Sequence, residues 1–201
     1  MKIQSFMVSN PITIHEETSI QDAIVLMKEN RIRHLPVVDR KKKLTGWVTL
    51  SDLKQGLMPS MLGDVSLTDL VNRNPFTVSP DDDIEVAAKL VYMHKISGMP
   101  VVKNGELVGI ITETDLFRAF IDMMGILTAS SRIDVVLDWS PASLRNVLQV
   151  IQENGADIIS IAHTPLPEER RVCYFRLRLC KTSGIKKKLE AEGFEVLAAM
   201  D

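Results

Sequence analysis

Two short stretches carry the side chains best suited to chemistry in this 201-residue chain: Thr49-Leu50-Ser51-Asp52 and Thr112-Glu113-Thr114-Asp115. Each lies where an apolar run gives way to a helical pattern, so each is expected to sit where a strand turns into a helix. Backbone N–H groups at a helix start attract phosphate oxygens. A carboxylate there can accept two hydrogen bonds from vicinal hydroxyls, and a threonine hydroxyl can serve a sugar or a phosphate oxygen. The same Ser/Thr-x-x-Asp pattern also has a purely local use, in which the side chains close the first turn of the helix. Spacing alone leaves both uses open.

The two stretches belong to an internal duplication. Asn10–Leu53 aligns with Asn74–Leu116 at a shift of 64 residues, falling to 63 after the Arg40–Lys43 region, with fifteen identities in about forty-four positions. Each copy reads as a short extended start (Pro11–Ile14 in the first), a helix, an apolar run, a polar turn, a second apolar run and a helix start. In the first copy Ser19 is expected to cap a helix with the stripe Ile20, Ala23, Ile24 and Met27. In the second, the acidic run Asp81–Asp83 faces the positive helix start, and Ile84, Ala87, Ala88 and Val91 carry the stripe. The turn Arg40–Lys43 reads as a solvated charge run. His34 precedes a buried strand and His94 closes a helix, and both have structural uses. One copy would bury too little by itself, so the two are expected to pack face to face about a pseudo-twofold axis.

These residues resemble the CBS domain family. The marks are Pro36–Val38 with Gly46, Thr49 and Asp52, and Pro100–Val102 with Gly109, Thr112 and Asp115. The lead-ins Ile3–Pro11 and Leu67–Pro75 are similar to the family's N-terminal linker strand. Two copies in tandem form what is called a Bateman module. The resemblance implies an adenine nucleotide (AMP, ADP or ATP) in the cleft between copies, with each site built from both. Site one would use Thr112, Thr114 and Asp115 with Ile12, Ile32, Arg33 and His34. Site two would use Thr49, Ser51 and Asp52 with Phe76, Ile96, Ser97 and Gly98. Arg33 and His34 equip site one better for phosphate.

After Gly125 the pattern changes. Arg132–Trp139 reads as a strand with Ile133, Val135 and Leu137 on one face. Ser140 or Ser143 caps a helix carrying Leu144, Val147, Leu148 and Ile151 that stops at Asn154-Gly155. Ile158–His163 is a second strand and Thr164–Arg171, with two prolines and four charges, a loop. Val172–Leu179 is a third strand, Ser183–Glu192 a charged helix and Glu195–Ala199 a fourth strand. The order βαββαβ is the ferredoxin-like arrangement. The stretch resembles an ACT domain through Asp138, Pro141, Leu144 and Asn154–Ile158. It departs at the family's Asp-x-Pro-Gly ligand turn. Here the turn reads Asp138-Trp139-Ser140-Pro141-Ala142-Ser143, longer and without glycine, so a side chain stands where a ligand would approach the backbone. Expected domains are therefore 1–60 and 61–125 for the repeats, a linker at 126–131, and an ACT-like domain at 132–201, in an α/β (α+β) fold. The whole layout resembles AcuB-type proteins associated with acetoin utilisation, which identifies no reaction.

Composition narrows the functions. The chain is 45% hydrophobic and 25% charged, and Lys+Arg 24 against Asp+Glu 26 gives a net charge of −2. Such a balance offers no broad basic field for nucleic acid or an anionic membrane. No uncharged apolar run approaches the length of a membrane span. The N-terminus lacks a basic start followed by an apolar stretch, so no secretory signal is expected and the chain is placed in the cytosol. Cys173 and Cys180, seven apart in one expected strand, should face opposite ways and form no disulfide. Two cysteines and four histidines, none at ligand spacing, argue against zinc. With no paired nucleophile and base, no glycine-rich phosphate loop and no dinucleotide fingerprint, the expectation is a non-catalytic sensor. It would need no resident cofactor, relay an adenine nucleotide through a homodimer, and act on a regulated protein not identified by the sequence. The alternatives are a ligand-free dimerisation scaffold and an amino-acid sensor acting through the ACT-like part.

Overall fold

The computed structural model describes residues 1–56 and 65–201. The chain divides into two compact units, Met1–Phe117 and Arg118–Asp201. The repeat boundary expected at 60/61 lies outside the described residues.

The first unit holds both repeats. Its first copy comprises β1 (Val8–Ser9), α1 (Ile20–Glu29), β2 (His34–Val38), β3 (Leu44–Thr49) and α2 (Leu50–Gly56). The second comprises α3 (Leu67–Leu70), α4 (Ile84–His94), β4 (Gly98–Lys103), β5 (Glu106–Thr112) and the start of α5 (Glu113–Met124). Helix α1 begins as its sequence dictates. Ser19 Oγ accepts the Asp22 N–H at 3.0 Å and donates to the Asp22 carboxylate at 2.7 Å. Ile20, Ala23, Ile24 and Met27 are buried, packed with Leu35, Val37, Val48 and Leu53. Burial of that kind contributes about 1.5–3 kcal/mol per large apolar side chain.

Helix α4 starts at the acidic run, as expected. Asp83 occupies the cap position without a side-chain cap bond. Its carboxylate instead meets Lys2 Nζ at 3.0 Å. The cause is the N-terminal segment, whose Ile3 and Gln4 N–H groups donate to the Asp82 and Pro80 carbonyls at 3.0 Å and so bring Lys2 alongside.

The short extended starts form no strand. Each makes one parallel bridge, Ile14 to Val37 and Val78 to Val101. Both hairpins carry the same register shift, between Val37 and Val38 and between Val101 and Val102. The duplication thus extends to backbone irregularity, as a shared bulge requires.

The lead-in segments are exchanged between copies. Val8 and Ser9, ahead of the first copy, pair with Ile110 and Gly109 on β5 of the second. Asn72, ahead of the second copy, exchanges two 2.9 Å backbone hydrogen bonds with Trp47 on β3 of the first. This exchange explains the two motif glycines. A Cβ on Gly109 would stand 2.9 Å from the Val8 carbonyl oxygen, and one on Gly46 would stand 3.2 Å from the Asn72 carbonyl oxygen. Any side chain there would push the crossing strand away.

The second unit contains β6 (Ser130–Asp138), α6 (Pro141–Glu153), β7 (Ile158–Leu166), β8 (Arg170–Arg178), α7 (Ser183–Ala191) and β9 (Glu195–Met200). Its four-stranded sheet has the order β7-β8-β6-β9, antiparallel throughout. This is the ferredoxin-like topology. Ile133, Val135, Leu137, Cys173, Phe175 and Leu177 point from the sheet into a core closed by Val147, Val150, Ile151, Ile185 and Leu189 of the helices. Ser140 caps α6, accepting the Ala142 N–H at 3.2 Å, with Pro141 following it.

Three expectations are corrected here. The loop expected over Thr164–Arg171 is only a turn at 167–169, with Glu168 and Glu169 at φ 61° and 55°. Pro165 fits inside β7 because β7 is an edge strand, where a missing N–H breaks no ladder. The stretch expected as linker, 126–131, already includes the start of β6 at Ser130. Cys180 lies beyond the end of β8, so the odd-spacing argument does not apply to it; both cysteines pack against the same core and remain free thiols. Burial raises the Cys173 pKa above its ordinary value.

Candidate functional site

Both Thr-x-x-Asp stretches close a helix start, and they do it identically. Asp52 Oδ2 accepts the Thr49 N–H at 2.9 Å and the Thr49 hydroxyl at 2.7 Å. Asp115 Oδ2 accepts the Thr112 N–H at 2.9 Å and the Thr112 hydroxyl at 2.6 Å. In return each Thr Oγ1 lies 3.3–3.4 Å from the aspartate N–H. The local use of the motif is therefore realised, yet it engages one oxygen. Among the described residues, Oδ1 of neither aspartate takes part in a hydrogen bond. A carboxylate accepts at both oxygens, so capping and ligand binding are compatible.

Each aspartate borders a cavity lined by both repeats. The first, about 380 Å³, is lined by Thr112, Thr114, Asp115, Ile12, Ile32, Arg33 and His34, the full set expected for site one. Val8, Asn10, Pro11, Arg31 and Ile110 complete it. The second, about 440 Å³, is lined by Thr49, Asp52, Phe76, Ile96, Ser97 and Gly98, together with Trp47, Leu70, Val71, Asn72, Pro75 and Lys95. Both volumes lie in the range of small-molecule sites. Ser51 is the exception among the expected residues. It lines an adjacent cavity of about 280 Å³ with Arg33, His34, Thr49, Leu50, Lys54 and Ser97.

The additional lining residues follow from the exchanged lead-ins, which bring Val8 and Asn72 to equivalent places. A signal for Arg31 and Lys95 was present in the repeat, since both are cations directly before the shared isoleucine. Both take the left-handed conformation, at φ 54° and 53°, where each helix has ended.

The two sites differ at their shared boundary. His34 is 5% exposed and stacks on Trp47, with ring centroids 5.4 Å apart. Its Nε2 lies 2.7 Å from Ser97 Oγ in the other repeat. Burial, and next the Arg33 guanidinium, hold the imidazole below its ordinary pKa of 6.5, against the opposing pull of Glu113, Asp52 and Asp115. Gly98, the counterpart of His34, leaves room for that ring; a Cβ there would be 3.4 Å from His34 Cε1. Arg33 donates to Glu113 Oε1 at 3.3 Å, also across the repeats, with both side chains about half exposed. Phe76 of site two is backed by the His94 ring at a centroid distance of 4.0 Å. His94 thus supports a wall of the cavity besides ending α4.

In the second unit, Asp138 Oδ1 accepts the Ser140 N–H at 2.9 Å, and the Arg171 guanidinium lies 4.5 Å from the centroid of the Trp139 ring. Trp139 also meets His163 edge-on at 5.4 Å. These contacts occupy the turn that sequence compares with the ACT ligand turn. No helix among the described residues is long and apolar enough to cross a membrane, and no group of metal-ligating side chains is found among them.

Comparison with known proteins agrees with this geometry. A protein described as an acetoin utilization protein (AcuB) from Vibrio cholerae is 32% identical, with a TM-score of 0.56 over 63% of this chain and 94% of that one. The CBS domain pair of protein MJ0100, solved with 5′-methylthioadenosine and S-adenosyl-L-methionine, is 30% identical, with a TM-score of 0.56 over 60% of this chain and 95% of that one. CBSX2, solved with AMP, is 30% identical, with a TM-score of 0.54 over 60% and 96%; the protein is from Arabidopsis thaliana. Among curated proteins, an inosine-5′-monophosphate dehydrogenase from Korarchaeum cryptofilum is 35% identical over 117 residues, 58% of this chain. This chain spans only about a quarter of that enzyme, 24%, so the likeness lies in the CBS part. The CBS domain profile matches residues 3–58 and 67–122, more than half of the sequence. With two complete copies, each carrying a capped aspartate beside a cleft that both copies line, the chain belongs to the CBS domain family.

Proposed function

We propose that this protein is a non-catalytic sensor that binds an adenine nucleotide (AMP, ADP or ATP) between its CBS repeats. The observation that carries the reading is the pair of cavities in which a capping aspartate keeps one oxygen for a ligand. Adenosine compounds in the CBS pairs of MJ0100 and CBSX2 support it. In this reading Asp115 and Asp52 accept the ribose hydroxyls through Oδ1. The adenine ring lies against Ile12 and Ile32, or against Phe76 and Ile96. Arg33 and His34 face the phosphate of site one.

The protein acts as a cytosolic homodimer. Nucleotide changes its affinity for a regulated partner protein, and such a switch works only through differential binding to two states. The second unit is an ACT-like docking domain. Its ferredoxin-like topology supports that reading, and the occupied turn at Asp138–Ser140 argues against an amino-acid effector there. Likeness to AcuB points to acetoin utilisation as the regulated process. A ligand-free scaffold is the second reading, favoured by the fact that both aspartates already serve a helix start.

Melting temperature measured with ATP, ADP, AMP and S-adenosylmethionine separates the two. A ligand at a hundred times its Kd stabilises by about 2.7 kcal/mol, a shift of several degrees. Asp115→Ala should abolish the shift for site one. If no adenine compound moves the melting temperature, the scaffold reading stands.

A further inference from the structure

The cavity that holds Ser51 has a use of its own. It shares Arg33 and His34 with the site-one cavity and Thr49 and Ser97 with the site-two cavity, so it lies where the two sites meet. The lining contains two cations, Arg33 and Lys54, and both come from the first repeat. By the shift of the duplication, their counterparts in the second repeat are Ser97 and Phe117, neither of which carries charge. The second repeat contributes an acid instead, Glu113, 3.3 Å from Arg33. Asp52 lines the site-two cavity and Asp115 the site-one cavity.

We propose that this basin takes the phosphate tail of an adenosine polyphosphate from either site, but only one tail at a time. The inference rests on the adenine-nucleotide reading given above. A tail entering from site one or from site two meets the same Arg33 and Lys54, and it must displace Glu113 from Arg33. Once those cations are engaged, a second tail finds no further cation lining the basin and lies against the first in a volume of about 280 Å³. Like charges so close repel, because their separation is well inside the screening length of the solvent. Adenosine has no tail, so two molecules bind without conflict. The CBS pair therefore distinguishes ligands by tail charge through stoichiometry as well as through affinity.

Calorimetric titration of the full chain with adenosine and with magnesium-free ATP tests the proposal, with native mass spectrometry counting bound molecules. Two adenosines per chain and one ATP per chain are expected. Lys54→Ala should weaken ATP relative to adenosine by about tenfold, the effect of losing one charge-assisted hydrogen bond. Two ATP molecules per chain at similar affinity would overturn the shared basin and leave the nucleotide reading intact. So would one adenosine per chain, or a Lys54→Ala change that weakens both ligands equally. Binding of neither compound would overturn the nucleotide reading itself, and the basin with it.

Discussion

His34 Nε2 and Ser97 Oγ lie 2.7 Å apart although 63 residues separate them, and this hydrogen bond joins the two repeats between the candidate sites. It is an asymmetric feature in a near-symmetric pair. The counterpart of His34 is Gly98, and an imidazole at both places would compete for one space. A duplicated chain has thus used a single histidine to fill the junction, with a serine to satisfy it.

That histidine should make stability depend on pH. Its folded pKa is held below 6.5, chiefly by burial. Above pH 6.5 the imidazole is neutral in both states and the contribution to stability is complete. As pH falls through 6.5 toward the lower folded value, the unfolded chain takes up the proton first, and stability is lost. Melting temperature followed from pH 7.5 to pH 5 should fall in this window, and the slope should be smaller in His34→Gln. An unchanged slope in the variant would remove His34 as the source.

Gly98→Ala tests the room left for the ring. Its Cβ would lie 3.2 Å from the Ile111 carbonyl oxygen and from Thr112 Cγ2, besides the His34 contact. Overpacking of this kind costs about 1–3 kcal/mol. Denaturant unfolding should register that loss, whereas Ser97→Ala should cost only about 1 kcal/mol for its hydrogen bond.

The exchanged lead-in predicts a similar cost at Gly109. An alanine there would place Cβ 2.9 Å from the Val8 carbonyl oxygen and 2.7 Å from Met7 Sδ. The methionine can move, but the paired backbone cannot without loss of β1. A loss of about 1–3 kcal/mol is expected, with hydrogen exchange of the Val8–Ser9 amides accelerated more than that of the second unit.

Trp47 offers a direct report on site two. It is 5% exposed, lines that cavity and stacks on His34, whereas Trp139, the other tryptophan, is 49% exposed. In Trp139→Phe the remaining fluorescence comes from Trp47 alone. Saturating adenosine should change its intensity, and Asp52→Ala should reduce that response. Equal fluorescence with and without adenosine, at concentrations that raise the melting temperature, would confine binding to site one.

In the second unit, Arg132 donates to both oxygens of Asp134, at 2.7 and 2.8 Å, and Asp134 is 6% exposed. Arg132→Met strands a buried carboxylate and should destabilise by about 1–3 kcal/mol. Adding Asp134→Val should recover part of that loss, because removing both partners removes the unpaired charge. A double-mutant cycle in urea measures the coupling.

The residue pattern alone determined the duplication, the cap at Ser19, the buried stripe of α1, Ile84 and Ala87 of the α4 stripe, and the βαββαβ order of the second unit, while it left Ser140 and Ser143 open as the cap of α6. These depend on periodicity and on contacts within a few residues, which the chain displays directly. It also marked Asp52 and Asp115, because a duplicated motif reveals itself by comparison with its copy. Tertiary structure decided what no local pattern encodes. The exchange of lead-ins gives Gly46 and Gly109 their purpose and brings Val8 and Asn72 to the cavities. The His34–Ser97 bond and the basin that gathers Ser51 and Lys54 arise only when the repeats meet. Pro165 could lie in a strand because that strand is at the sheet edge, and sheet order is a property of the assembled fold. Local preference sets what each segment becomes, but long-range packing sets which segments become neighbours, and a binding site consists of neighbours.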